Sequence, residues 1–333
     1  MKATLASIAE RARVSIATVD RVLNDRPGVK ERTRAAVLHV AHELGYFGPQ
    51  ATGAPTRVRM DFVLPAGQNS FISLLRSHLV EELAARPEID GHLHQVIGFD
   101  ENALAEKLVG LCGKSDAVGV VAIDHPIVSE ALEKLTASGT RIATLVSDIP
   151  RVRSVGYIGI DNRAAGRLAG YLIGRFLPRN QPARVAVLIG SPSYRGHEER
   201  EMGVRSILSR EFSHLTVSSI HEINDDREKA YSVALDLLRR ERPDAIYNIG
   251  AGNQGVARAL KDTGLAGKVV FIGHDLTSAA RSMLLDGTMD AVIDQNARVE
   301  AREAVKLLLS AVKGSNEAEY PPRLQVIFRE NLP

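Results

Sequence analysis

Residues 4–45 carry apolar positions at helical spacing and nothing else. Leu5, Ile8, Ala9 and Ala12 recur three or four apart, and Thr4 stands where a helix cap belongs. After "RVS", Ser15 can cap a second helix, "IATVDRVLN", with Val19, Val22 and Leu23 on one face. "DRPG" is a turn signal in which Pro27 and Gly28 fix the reversal. A third helix begins near Lys30, carries Val37, Val40, Ala41 and Leu44, and stops at Gly45.

From Val58 the period changes. The runs "VRMDFVL", "LHQVIG", "AVGVVAI", "RIATLV", "RVAVLIG", "TVSSIHE", "AIYNI", "KVVFIG" and "AVIDQ" alternate with amphipathic segments such as "FISLLRSHLVEELAAR" and "REKAYSVALDLLRRER". That alternation predicts parallel strands joined by crossover helices, an α/β doubly wound body. Nine strands are many for one open sheet, so two lobes, each with its own sheet, are expected. Between the two regimes Gly48, Pro49, Gly53 and Pro55 cluster, which marks a linker. The expected organisation is an all-α head over 1–46, a linker over 47–57 and a two-lobed body over 58–333.

Composition changes this picture in three ways. Cys112 is the only cysteine, so no intrachain disulfide can form and a reducing compartment fits. The first residues carry charges where a secretory leader needs an apolar core, and no apolar run reaches membrane-spanning length; a cytoplasmic protein without a membrane partner is expected. The net charge of +2 is uneven: residues 1–57 hold nine Lys or Arg against five Asp or Glu, the remainder 33 against 35. A basic head on a near-neutral body suits a polyanionic partner.

The head has the shape of a helix-turn-helix, whose second helix lies in the major groove with its N-terminal residues against base edges. Ile16, Ala17 and Arg21 fall on the groove face. Arg21 can offer a bidentate fork to guanine, whereas Ile16 and Ala17 make only apolar contact. Thr18, Arg26, Lys30 and Thr33 are candidate phosphate contacts, with the cap residues Thr4 and Ser15 beside them. The ordered string "VS-x-x-TV-x-RVLN", "PGV", "TR-x-x-V", "ELGY" resembles the DNA-binding head of the LacI (lac repressor) family. The resemblance implies a homodimeric transcriptional regulator, a repressor rather than an activator, on double-stranded operator DNA. Two departures stand out. The turn before Val14, a glycine in most of the family, holds Arg13; and "PQATGAPTR" lacks the leucine that family linkers insert into the minor groove.

The resemblance extends over the body, which is similar to the type I periplasmic sugar-binding-protein fold, two Rossmann-like lobes around a cleft. Ligands of open α/β sheets sit at the carboxyl ends of strands. Those ends carry Asn69 and Phe71, Asp124, Asp148, then Tyr194, Arg195 and Glu198, Asn253, Asp275 and Gln295. Paired donors and acceptors with a flat apolar face suit a sugar or polyol effector. Family members place an arginine in the helix after "GSPSY", a role for which Arg195 and Arg200 compete.

"IGAGNQGVA" contains Gly250, Gly252 and Gly255 in the G-x-G-x-x-G spacing of a dinucleotide site, with Asp275 downstream. An NAD(P)-dependent oxidoreductase is therefore the rival reading, and a sugar-uptake receptor a third. Such a fingerprint belongs in the first βαβ unit of its domain; here it lies deep in the second lobe, so the glycines are expected to serve tight turns and close packing. Ala165, Gly166, Ala169 and Gly170 put a small-residue face on one body helix, expected to pack on a sheet. No metal, cofactor or catalytic constellation is expected: the histidines lack ligand spacing and Ser191 lacks the nucleophile elbow.

Overall fold

A computed structural model describes residues 4–24, 26–44, 46, 57–315 and 322–333. The expected linker segment 47–56 and the expected helix stop Gly45 lie outside the described residues. The chain divides into two compact units, Met1–Thr56 and Arg57–Pro333.

The first unit is three helices, α1 (Leu5–Ala12), α2 (Ile16–Leu23) and α3 (Glu31–Glu43). Thr4 Oγ1 accepts from Ser7 N–H and Ser15 Oγ from Thr18 N–H, so both expected caps form. Between α1 and α2 Arg13 adopts φ 51°, ψ 45°, the left-handed conformation that glycine would take without strain. Ile8, Ala9, Val19, Val22, Val37 and Ala41 close a small core, and the other faces of the helices remain wet.

The second unit holds two sheets. The first runs β2 (Ile89–Ile97), β1 (Val58–Ala66), β3 (Ala117–Val120), β4 (Arg141–Leu145), β5 (Gly156–Ile158), all parallel. The second runs β11 (Gln325–Ile327), β10 (Ala291–Asp294), β9 (Val270–His274), β8 (Ala245–Asn248), β6 (Ala183–Ile189), β7 (Leu215–Glu222), parallel but for β11. All nine strand runs seen in the sequence form. β5 and β11, three residues each, are too short to show a period, and β11 breaks the all-parallel expectation as an antiparallel edge. β2 forms where expected but starts four residues before its apolar run, because it is a half-exposed edge strand that tolerates polar residues.

The helices α4 (Ser70–Ala84), α5 (Glu101–Gly110), α6 (Pro126–Ala137) and α12 (Ala297–Lys313) cover the first sheet; α7 (Asn162–Phe176), α8 (Arg195–Glu211), α9 (Arg227–Arg240), α10 (Asn253–Asp262) and α11 (Ser278–Leu285) cover the second. The chain crosses between lobes after β5, after β10 and again between α12 and β11. The small-residue face of α7 meets a helix rather than a sheet alone. A side chain at Gly166 would collide with the backbone of Arg200, and one at Gly203 with the Arg163 carbonyl. The missing Cβ atoms let α7 and α8 touch backbone to backbone, and this approach carries Arg200 inward.

Candidate functional site

On the head, the start of α2 faces outward. Ile16 is 52% exposed, unusual for an isoleucine, and Ala17 and Arg21 are exposed beside it. Thr4 and Ser15 spend their hydroxyls on capping, and Ser15 Oγ also lies 2.8 Å from Thr18 Oγ1. Arg26 pairs with Asp20 at 3.4 Å in water, while Lys30 is exposed and Thr33 half-buried at the start of α3.

In the second unit the carboxyl ends of both sheets face one another across a cavity of about 80 Å³, room for roughly half a dozen waters or one small molecule. From the first lobe come Asn69, Phe71, Phe99 and Ser147; from the second Tyr194, His197, Arg200, Asp225, Asp275 and Gln295. Phe71, Phe99 and Tyr194 supply apolar surface, the last two with ring centroids 5.3 Å apart across the cleft.

Polar groups fix this geometry from both sides. Asn69 caps α4 through Oδ1, which accepts from Phe71 and Ile72 N–H, and donates Nδ2 to Asp225 Oδ2 at 2.9 Å. Asp124 N–H donates to the Ser193 carbonyl and Gly196 N–H to Ser147 Oγ, two more links between lobes. At the first crossing Tyr157 Oη donates to the Val146 carbonyl and receives Asn162 Nδ2; Asn162 Oδ1 in turn accepts from Arg200 Nε at 2.8 Å. Arg200 Nη1 donates to the Ile249 carbonyl at 2.8 Å. The guanidinium, 3% exposed, is the one Lys or Arg side chain among the described residues that line the cavity.

Burial pushes the Asp275 carboxyl up to about 7, with Arg200 working against that and Asp294 adding to it. Gln295 Nε2 donates to Asp275 Oδ1 at 2.8 Å. Asp275 sits at φ 69°, outside ordinary strand geometry, which turns its side chain toward the cleft end of β9. Burial lowers the basicity of His197 and His274; His274 Nε2 lies 2.7 Å from Tyr247 Oη.

Of the effector residues expected from sequence, Asn69, Phe71, Tyr194, Asp275 and Gln295 meet at this cavity. Asp124, Asp148, Arg195 and Glu198 do not. Asp124 is exposed, and Asp148 is turned back to Thr144 Oγ1 and its neighbour Ile149 N–H. Arg195 pairs with Glu199 at 2.8 Å, and Glu198 points to solvent. Of the two arginines weighed, Arg200 lines the cavity and Arg195 does not: α8 begins at Arg195, and Arg200, more than a turn along, lies against Gly166. Asn253 borders a side chamber of about 30 Å³, but its amide is occupied: Oδ1 accepts from Asn248 and Nδ2 donates to the His274 carbonyl. Phe99 and Asp225 were missed. They end β2 and β7, in "IGFD" and "INDD", and the strand-end rule applied to those two runs would have found them.

The glycine fingerprint has a structural explanation. Gly252 adopts φ 102° at the start of α10, and a side chain at Gly255 would strike the Arg227 carbonyl, so the third glycine packs α10 on α9. The loop donor that would face a pyrophosphate, Ala251 N–H, already gives its hydrogen bond to Asp225 Oδ1 at 2.8 Å. A carboxylate in that place repels an anion.

Residues 4–48 match the model of the bacterial regulatory proteins of the lacI family, and residues 62–316 match the periplasmic binding protein domain. The chain belongs to the LacI family of bacterial regulatory proteins. Like it, the HTH-type transcriptional regulator AglR of Rhizobium meliloti is 26% identical over the whole chain and 93% of its own length. The D-ribose/D-allose-binding protein of Pseudomonas aeruginosa is 24% identical over 60% of this chain and 64% of its own length, so this chain spans under two thirds of that relative. Among solved structures, GanP, a glucose-galactose binding protein from Geobacillus stearothermophilus, superimposes with a TM-score of 0.75 at 21% identity, over 83% of this chain and 99% of that one. The chain thus joins a lacI-family head to a body with the periplasmic-binding-protein fold. No described helix of it is long and apolar enough to cross a membrane.

Proposed function

We propose that this regulator acts in the cytoplasm as a homodimeric repressor, without catalysis, whose hold on operator DNA is set by a sugar or polyol in the cleft. Two copies reading two half-sites follow from the head's size, since one three-helix unit spans half a palindrome. α2 enters the major groove; Ile16, Ala17 and Arg21 meet base edges, and Thr4, Ser15, Thr18, Arg26, Lys30 and Thr33 lie toward phosphates. The observation that carries the effector half is the cavity between lobes, where Asp275, Gln295, Asp225 and Arg200 stand opposite Phe71, Phe99 and Tyr194. Carboxylates and amides bracket vicinal hydroxyls, and aromatic faces cover C–H surface. The named ligands of the sugar receptors that share the fold agree with that chemistry. Effector binding closes the lobes and shifts operator affinity by a coupling of about 1–3 kcal/mol.

The test is selection of duplexes from a random pool by the full chain, followed by thermal-shift screening of monosaccharides, polyols and NAD(P)H. A two-half-site sequence should emerge, and a compound that raises the melting temperature should also change retention of that duplex. Stabilisation by NAD(P)H and by no sugar or polyol would favour the oxidoreductase reading instead.

A further inference from the structure

Glu300 lies in the first turn of α12, directly after the chain has crossed from the second lobe at Gln295 and Asn296. It is 0% exposed, and neither carboxyl oxygen has a hydrogen-bond partner among the described residues. α12 belongs to the first lobe, yet the groups in electrostatic reach of this carboxyl include Arg200, Asp275 and Asp294 of the second lobe, with Tyr157 from its own. The other ionised side chains of α12's cleft-side half are engaged elsewhere: Arg298 lies 3.8 Å from Glu81 of α4, and Arg302 2.9 Å from Glu303. Arg200, the cation in electrostatic reach, gives Nε and Nη1 to Asn162 and Ile249.

An ionised carboxylate with both oxygens dry and unpaired is far more costly to bury than the neutral acid. We propose that Glu300 is a proton-carrying hinge residue: the closed lobes hold its carboxyl neutral and dry, opening hydrates and ionises it, and cleft closure therefore weakens as pH rises. The direction follows from burial first, then the Asp275 charge, which together hold this acid well above its ordinary 4.5. Below 4.5 both states carry the proton and closure costs nothing extra; above it the open state sheds the proton and gains, until the closed state ionises too. The biological meaning, a pH-dependent effector response, rests on the effector-cleft reading. The mechanism itself does not, and its test uses no effector.

Amide exchange in the full-length protein reads it, with rates corrected for intrinsic pH dependence. The reporters are the amides of Asp124 and Gly196, which bond across the lobes. Between pH 7.5 and 9, above the Asp275 titration, the two reporters should lose about tenfold or more of their protection in wild type. Glu300→Gln, a neutral amide of the same shape, should hold the reporters' protection flat. Unchanged reporters in wild type, or an equal loss in Glu300→Gln, overturn the proposal. A loss that survives in Glu300→Gln and vanishes in Asp275→Asn assigns the proton to Asp275 and overturns it as well. If Glu300→Gln does not fold, the carboxyl 13C shift of Glu300 in wild type decides: an ionised signal at pH 7 refutes the idea and a neutral one supports it.

Discussion

Asn69 Nδ2 and Asp225 Oδ2 are 2.9 Å apart, and they stand on opposite lobes. The same asparagine caps α4 with its other amide atom, so one side chain both starts a helix and ties the cleft shut. Asn69→Ala removes a cap worth about 1 kcal/mol and a charge-assisted bond worth about 1.5–3 kcal/mol. Denaturant titration should show a loss of about 2.5–4 kcal/mol, whereas Asn69→Asp should keep the cap and lose the interlobe tie to Asp225.

Asp275→Asn should separate stability from function. The carboxyl's pKa rises from an ordinary 3.8 to about 7 on folding, so its ionisation opposes the folded state progressively from about pH 4 to pH 7. The asparagine variant should thus melt at nearly the wild-type temperature at pH 4 and higher than wild type at pH 8. Its thermal shift with the sugar or polyol found by screening should fall to the noise, a loss of at least about 1.4 kcal/mol of binding. A variant that binds normally would remove Asp275 from the effector site.

Arg200→Met leaves the Ile249 carbonyl and Asn162 Oδ1 without their donor and takes the buried guanidinium from beside Asp275 and Glu300. About 3 kcal/mol of stability should be lost, and Arg200→Lys should recover little of it, because an ammonium cannot reach both acceptors in one plane. Urea midpoints at pH 7 measure both.

Arg13→Gly should stabilise the head by about 0.5–1 kcal/mol by relieving the left-handed backbone at φ 51°. The change lies in a turn, so half-site preference in a binding titration should stay as in wild type.

Arg21→Ala should weaken binding to the selected operator by about 10–100-fold and relax the preference at one base position, with effector-induced stabilisation intact. Equal weakening on every duplex would make Arg21 a phosphate contact.

By itself the sequence determined much of this protein. The caps at Thr4 and Ser15, the outward Ile16 and the nine β-branched runs were legible because caps and periods are local: they depend on neighbours within one turn or one strand. Strand ends marked Asp275 and Gln295 for the same reason. Tertiary structure decided the rest. Arg195 and Arg200 lie five apart on one helix, and only the backbone contact of Gly166 with α8 settles which guanidinium is buried. Asp148 and Asn253 end strands as Asp275 does, yet local partners consume them, while Asp225 meets Asn69 across 156 residues of chain. Glu300 reads as an ordinary first-turn acid of a helix; only the tertiary structure buries it and brings Arg200, Asp275 and Asp294 of the second lobe within its reach, a long-range arrangement that no local pattern encodes.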